Sequence, residues 1–254
     1  MAAIDTVLQE GLLVDRTWLR DHGIDRPAVD YYARSGRLEA VAHGVYRKPG
    51  PALKWQNVVY SLHELGYRLH VGHQSALAFH GFQHYLELGG NVEVRLYSER
   101  GLPSWARDMK TAPELVEMKR SPFADSTLGI ENVPFGTWDW PIRYSTPERA
   151  FLELTSTVSS REEIDQARLM MEGAANLRPA LLQSLLQECQ QVKAKRLFLW
   201  MAREQGHPWY RHIDQSMIDL GSGKRQVVAG GVLDNEFQIT VPRKNEDGDT
   251  EPVF

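Results

Sequence analysis

A single cysteine, Cys189, occurs in 254 residues, so no internal disulfide is available and no second thiol stands by to complete a metal site. That usage predicts a protein of a reducing, cytoplasmic compartment. The opening Met1-Ala2-Ala3-Ile4-Asp5 lacks the basic stretch and apolar core of a secretory leader. Long apolar runs are missing too: the densest, Leu197-Phe198-Leu199-Trp200-Met201-Ala202, is far short of a bilayer span and is flanked by charges. Nor is there a surplus of positive charge. The formal net charge of −4 argues against sequence-blind coating of nucleic acid, yet leaves room for a local basic face, because phosphate contact needs only a patch. The length suits one large domain or two to three small ones.

The first fifty residues carry the clearest pattern. Ile4, Val7 and Leu8 recur at helical spacing and Gly11 follows where a helix stops. Asp15 can cap a second short helix with Trp18 and Leu19 inward, and His22-Gly23 supplies a turn. Asp25 is a good cap for a third helix with Pro27 in its first turn, running to about Ser35 before Gly36. Two helices joined by a short glycine-containing turn form a helix-turn-helix pattern. Leu38, Val41 and Val45-Tyr46, broken by His43-Gly44, read as a hairpin directly after it, the position of the wing in a winged helix.

Spacing divides the third helix into faces. Val29, Tyr32 and Ala33 are expected to pack inward, leaving Arg26, Asp30, Tyr31 and Arg34 outward, where such side chains suit base edges and phosphates in a major groove. Arg37, His43, Arg47 and Lys48 are expected to line the wing and its approach and to grip the phosphate backbone. Small protein-docking modules are also built from three short helices and a hairpin, and residues 1–50 hold as many acids as bases. The local balance favours DNA: from Tyr31 to Lys48, Arg34, Arg37, Arg47 and Lys48 face only Glu39.

The run Gly36-Arg37-Leu38-Glu39-x-Val41-x-x-Gly44-Val45-Tyr46-Arg47 resembles the N-terminal winged-helix module of AbiEi-type antitoxins of type IV toxin–antitoxin systems. His73-Gln74-Ser75-Ala76-Leu77-Ala78-Phe79-His80-Gly81 resembles the helix that opens the family's middle region, and Ser145-Thr146-Pro147-Glu148-Arg149-Ala150-Phe151-Leu152-Glu153 a later helix start. The resemblance implies an antitoxin that represses its own operon by binding inverted repeats. It also implies that the C-terminal region opposes a co-encoded nucleotidyltransferase-like toxin, with no stable complex required. Carried onto this sequence, Arg26, Tyr31, Arg34, Arg47 and Lys48 become the DNA-contacting positions.

Beyond residue 50 the pattern alternates. Helices are predicted over 55–65 and 75–82, strands near 92–97, 115–118, 130–133 and 142–144, a helix from Pro147, then helices over 164–171, 179–189 and 192–203, with strands again at 227–228 and 237–241. Several sites have two readings. Gly221-Ser222-Gly223-Lys224 lacks the spacing and the following Ser or Thr of a phosphate loop and reads as a hairpin turn. His63, His70, His73, His80 and His84 have no carboxylate at matching spacing and read as core or surface histidines rather than metal ligands. Asp234 and Glu236 near Lys244 faintly resemble a nuclease centre. Phe198, Trp200, Trp209 and Tyr210 serve either as core or as a partner-binding or antitoxicity surface, with core favoured for the tryptophans, while Lys193, Lys195, Arg196, Arg203 and Arg211 leave a basic nucleic-acid face open.

The expectation is therefore an α+β protein: a winged helix-turn-helix at 1–50, then a mixed α+β domain with a helical cluster at 51–254. It is a non-enzymatic regulator without cofactor or metal, acting on double-stranded operator DNA as a monomer or dimer, cooperatively. The rivals are a nuclease with a DNA-binding N-terminus and a docking scaffold that binds no DNA.

Overall fold

The computed structural model describes residues 4–82, 93–124, 127–228 and 230–242. Contacts divide it into two units: Met1–Ala76 with Leu86–Ser121 and Ile130–Thr146, and Leu77–Tyr85 with Pro122–Gly129 and Pro147–Phe254.

The first unit begins with one helical turn, α1 (Ile4–Val7), and a left-handed bend at Gly11, φ 83°. A Cβ on Gly11 would lie 2.6 Å from Asn57 Nδ2 and 3.5 Å from the Trp140 ring, so the close approach requires glycine. After β1 (Val14–Asp15), the Asp15 carboxylate accepts the Trp18 N–H at 2.7 Å and starts α2 (Arg16–Asp21). Asp25 accepts the Ala28 N–H at 3.0 Å and starts α3 (Arg26–Arg34), with Pro27 in the first turn where its missing N–H costs nothing. β2 (Glu39–Ala42) and β3 (Val45–Arg47) form the expected hairpin through Gly44, φ 75°, and β1 adds to give the antiparallel order β1-β3-β2. β1 has only two residues, too few to carry an alternation, and the sequence pattern does not mark it.

One inward assignment on α3 is corrected. Ala28, Val29 and Tyr32 are buried and Ala33 is exposed. At about 100° per residue the first three span the packed arc and Ala33 falls just past its edge.

The remainder of this unit is a mixed five-stranded sheet in the order β6-β5-β4-β8-β7. Its strands are β4 (Leu69–Val71), β5 (Glu93–Ser98), β6 (Glu114–Met118), β7 (Ile130–Phe135) and β8 (Trp140–Ser145). β4 runs parallel to β8 and β5 to β6, while β4–β5 and β7–β8 are antiparallel. α4 (Trp55–Glu64) buries Val58, Val59 and Leu62, α5 spans His73–Phe79, and a short α6 spans Ser104–Asp108. The three-residue β4, wholly buried, and α6 escape the sequence pattern for the same reason as β1: neither repeats long enough.

The helices and hairpin share a core with this sheet. Ile4, Leu8, Val14, Leu19, Val29, Tyr32 and Tyr46 gather around Trp140 of β8, with Tyr60 and Phe135 packed against them. Tyr60 stacks on Trp140 at 4.5 Å and 10°, the indole N–H donates to Gln9 Oε1 at 2.9 Å, and the Leu13 N–H donates to Ser61 Oγ at 2.8 Å.

The second unit is mainly helical: α7 (Pro147–Thr157), α8 (Arg161–Glu172), α9 (Pro179–Glu188) and α10 (Val192–Gln205). α7 is buried on every side and packs against α9 and α10. A small sheet follows in the order β10-β11-β9, from β9 (Arg225–Gln226), β10 (Val232–Asp234) and β11 (Ile239–Val241). Because β9 pairs in parallel with β11, the segment 221–224 is not a hairpin turn as the sequence pattern suggests. It is a loop whose carbonyls are gripped from below: buried Arg196 donates to Leu220 O at 2.7 Å, Gly223 O at 2.6 Å and Gly221 O at 3.0 Å. The α+β class with a helical cluster thus holds over the chain.

Candidate nucleic-acid interface

The packing of α3 through Ala28, Val29 and Tyr32 turns its opposite face outward. Arg26, Asp30, Tyr31 and Arg34 are all exposed, Tyr31 to 58% despite its ring. An exposed tyrosine beside two arginines is a side-chain set able to stack, donate and accept. Arg34 donates from Nε to the Asp30 carbonyl at 3.1 Å, which fixes its stem and leaves the end of the guanidinium to solvent. Among the described residues neither Arg26 nor Arg34 has an ion-pair partner.

The hairpin side differs in its electrostatics. His43 is exposed at the tip beside Gly44. Arg37, by contrast, pairs with Asp5 and lies over the Tyr32 ring at 5.0 Å. Lys48 donates to the Asp5 carbonyl at 3.0 Å and lies 3.8 Å from its carboxylate. Arg47 is bound to Glu39 at 3.0 Å and to the Pro51 carbonyl at 2.8 Å, with a side chain only 12% exposed. The structure therefore brings Arg26, Tyr31 and Arg34 to one open face, and places Arg37, Arg47 and Lys48 in contacts with acids of the same chain.

Arg16, which the sequence pattern passes over, is tied to the hairpin. Its Nε and Nη2 donate to the Tyr46 hydroxyl at 3.1 and 3.0 Å. That hydrogen bond, with the Asp30 carboxylate as a smaller contribution, raises the guanidinium pKa above its ordinary value. The link from Arg16 to Tyr46 spans 30 residues, a separation at which no periodicity reports contact.

Two family models account for nearly the whole chain. A model described as transcriptional regulator, AbiEi antitoxin N-terminal domain matches residues 2–88, and one described as transcriptional regulator, AbiEi antitoxin, type IV toxin–antitoxin system matches residues 91–242. The chain belongs to the AbiEi antitoxin family. A solved structure, that of the RV2827C protein from Mycobacterium tuberculosis, shares the fold with a TM-score of 0.53 at 14% identity, over 91% of this chain and 86% of that one. No curated protein matches the chain.

The other AbiEi sequence signatures are structural in this chain. Within Ser145–Glu153, Arg149 and Glu153 are buried and paired at 2.9 Å, and Glu148 receives three hydrogen bonds from Arg178 between 2.8 and 3.0 Å. The histidines are engaged separately: His63 Nε2 lies 2.9 Å from the Leu69 carbonyl, with burial holding its pKa below the ordinary value. His70 stacks on Tyr97 at 5.3 Å and His73 Nδ1 accepts from Arg95 at 3.0 Å. His84 and Lys244 lie outside the described residues. Asp234 and Glu236 do not open toward a metal; both carboxylates close on Arg203 at 2.5 Å. Phe198, Trp200 and Trp209 are buried as core. The basic face left open beside them does not assemble: Lys195 and Arg196 are buried, Lys193 donates to the Val158 carbonyl at 2.7 Å, and Arg203 holds the two acids. Among the described residues no helix is long and apolar enough to cross a membrane.

Proposed function

We propose that this AbiEi antitoxin is the autorepressor of its own operon: residues 1–50 act as a winged helix on operator DNA, and residues 51–254 carry the antitoxin activity against a co-encoded nucleotidyltransferase-like toxin. The observation that carries the DNA-binding part is the outward face of α3, where Arg26, Tyr31 and Arg34 stand exposed beside a hairpin. An α-helix presenting arginines with planar donor forks fits the major groove and its guanine edges, and neighbouring cations hold the phosphates that set the register. One such module reads one half-site, so an inverted repeat recruits two copies about one helical turn, or a multiple of it, apart.

The nuclease alternative has little to stand on, because both candidate carboxylates are engaged by Arg203. The experiment is a gel shift of the full-length protein on its own upstream DNA against scrambled competitor at two salt concentrations. Specific binding that weakens with salt is expected, and Arg34→Glu should abolish it while the melting temperature stays within a few degrees of wild type. Retained affinity in Arg34→Glu would falsify the assigned face; no binding by the wild type would turn the module into a protein-docking element.

A further inference from the structure

The cations around the hairpin of the N-terminal module differ in what holds them. Arg37, Arg47 and Lys48 each face a carboxylate, Asp5 or Glu39. Arg16 is held by a neutral group, the Tyr46 hydroxyl, at 3.1 and 3.0 Å. Tyr46 is itself 6% exposed and fixed in β3 opposite Val14, so its phenol is a rigid anchor for a side chain that is otherwise exposed. A carboxylate partner cancels the charge of a guanidinium; a phenol fixes its direction and leaves the charge whole. Arg16 opens α2, the helix that packs on α3, and its bond to Tyr46 sets the guanidinium beside hairpin strand β3, between the helix pair and the hairpin.

The geometry points to Arg16 as a further phosphate-binding residue of the DNA face, preorganised by the Tyr46 hydroxyl. This rests on the DNA-binding reading above. It adds a contact from α2 to those of α3, and it assigns to Tyr46, a core residue by burial, the role of a positioning residue. Because the tether is in place before DNA arrives, less side-chain freedom is lost on binding than at an untethered surface arginine.

The test uses the full-length protein with its own promoter duplex and a scrambled duplex of equal length, titrated at several salt concentrations. Arg16→Ala is expected to weaken binding about fivefold on both duplexes at physiological salt and to reduce the log–log salt slope by about 0.9, the release of one counterion fewer. Tyr46→Phe keeps the ring in the core and removes only the hydroxyl; it should fall between wild type and Arg16→Ala on the same two readouts, with an unchanged thermal melt. Wild-type affinity and slope in Arg16→Ala overturn the assignment, and so does a loss confined to the promoter duplex, which marks a base contact instead. Failure of the wild type to bind either duplex is a separate result, since it removes the DNA-binding reading itself.

Discussion

Arg149 is 1% exposed and Glu153 is fully buried, and the guanidinium donates to Glu153 at 2.9 Å and to the Leu128 carbonyl at 2.7 Å, over the Phe123 ring at 4.3 Å. Removing one member strands a charge in the core. Arg149→Met is therefore expected to cost roughly 3–5 kcal/mol in urea unfolding, against under 1 kcal/mol for a surface arginine such as Arg20. Glu148 gives a pH signature instead. Burial alone would raise its carboxyl, but the Arg178 side chain and backbone N–H outweigh that and hold it below the ordinary carboxylate value. A depressed folded-state pKa contributes stability that is complete above the unfolded value and is lost as pH falls through the folded one. Melting temperature plotted from pH 6 downward should thus fall less steeply in Glu148→Gln than in wild type. The sequence marks these residues as a helix start, which they are, since Pro147 opens α7. It does not show that the charges turn inward, because Glu and Arg on a helix ordinarily face water.

At the scale of elements, capping chemistry made the N-terminal helices legible: Asp15 and Asp25 sit at the two N-caps their spacing implies, and Gly44 makes the hairpin. The long helices α8, α9 and α10 are likewise readable from their periodicity. What stays hidden is any ion pair between distant segments. Arg37 and Lys48 look like spare cations along the chain, yet Asp5, 32 and 43 residues earlier, takes both. Where the hairpin meets phosphate as proposed, that pairing makes α1 a competitor for the same cations. On the proposed reading, Asp5→Asn should tighten binding to promoter and scrambled DNA alike and steepen the salt slope by up to about two counterions. Anisotropy titrations at three salt concentrations measure this; weaker binding in Asp5→Asn would mean that Asp5 positions the cations rather than withholding them.

At the scale of the molecule, the outward face of α3 was legible and its foundation was not. Periodicity shows which side of a helix is apolar, but not that Trp140, more than a hundred residues later, fills the space beneath it. Trp140→Ala is expected to cost roughly 3–5 kcal/mol, the usual range for emptying a buried aromatic site. In hydrogen exchange, amides of α2 and α3 should lose protection together with those of β7 and β8; loss confined to the sheet would show two separately folding bodies.

That shared core bears on how such a regulator changes its target. A self-contained DNA-reading head can be exchanged between proteins by cutting at its last residue, and new specificities then arise by shuffling. Here a cut after residue 50 leaves behind Tyr60, Phe135 and Trp140, against which the helices close. On the proposed reading, new operators are accordingly reached by substitution on the outward face of α3, one residue at a time, on a head that keeps its floor.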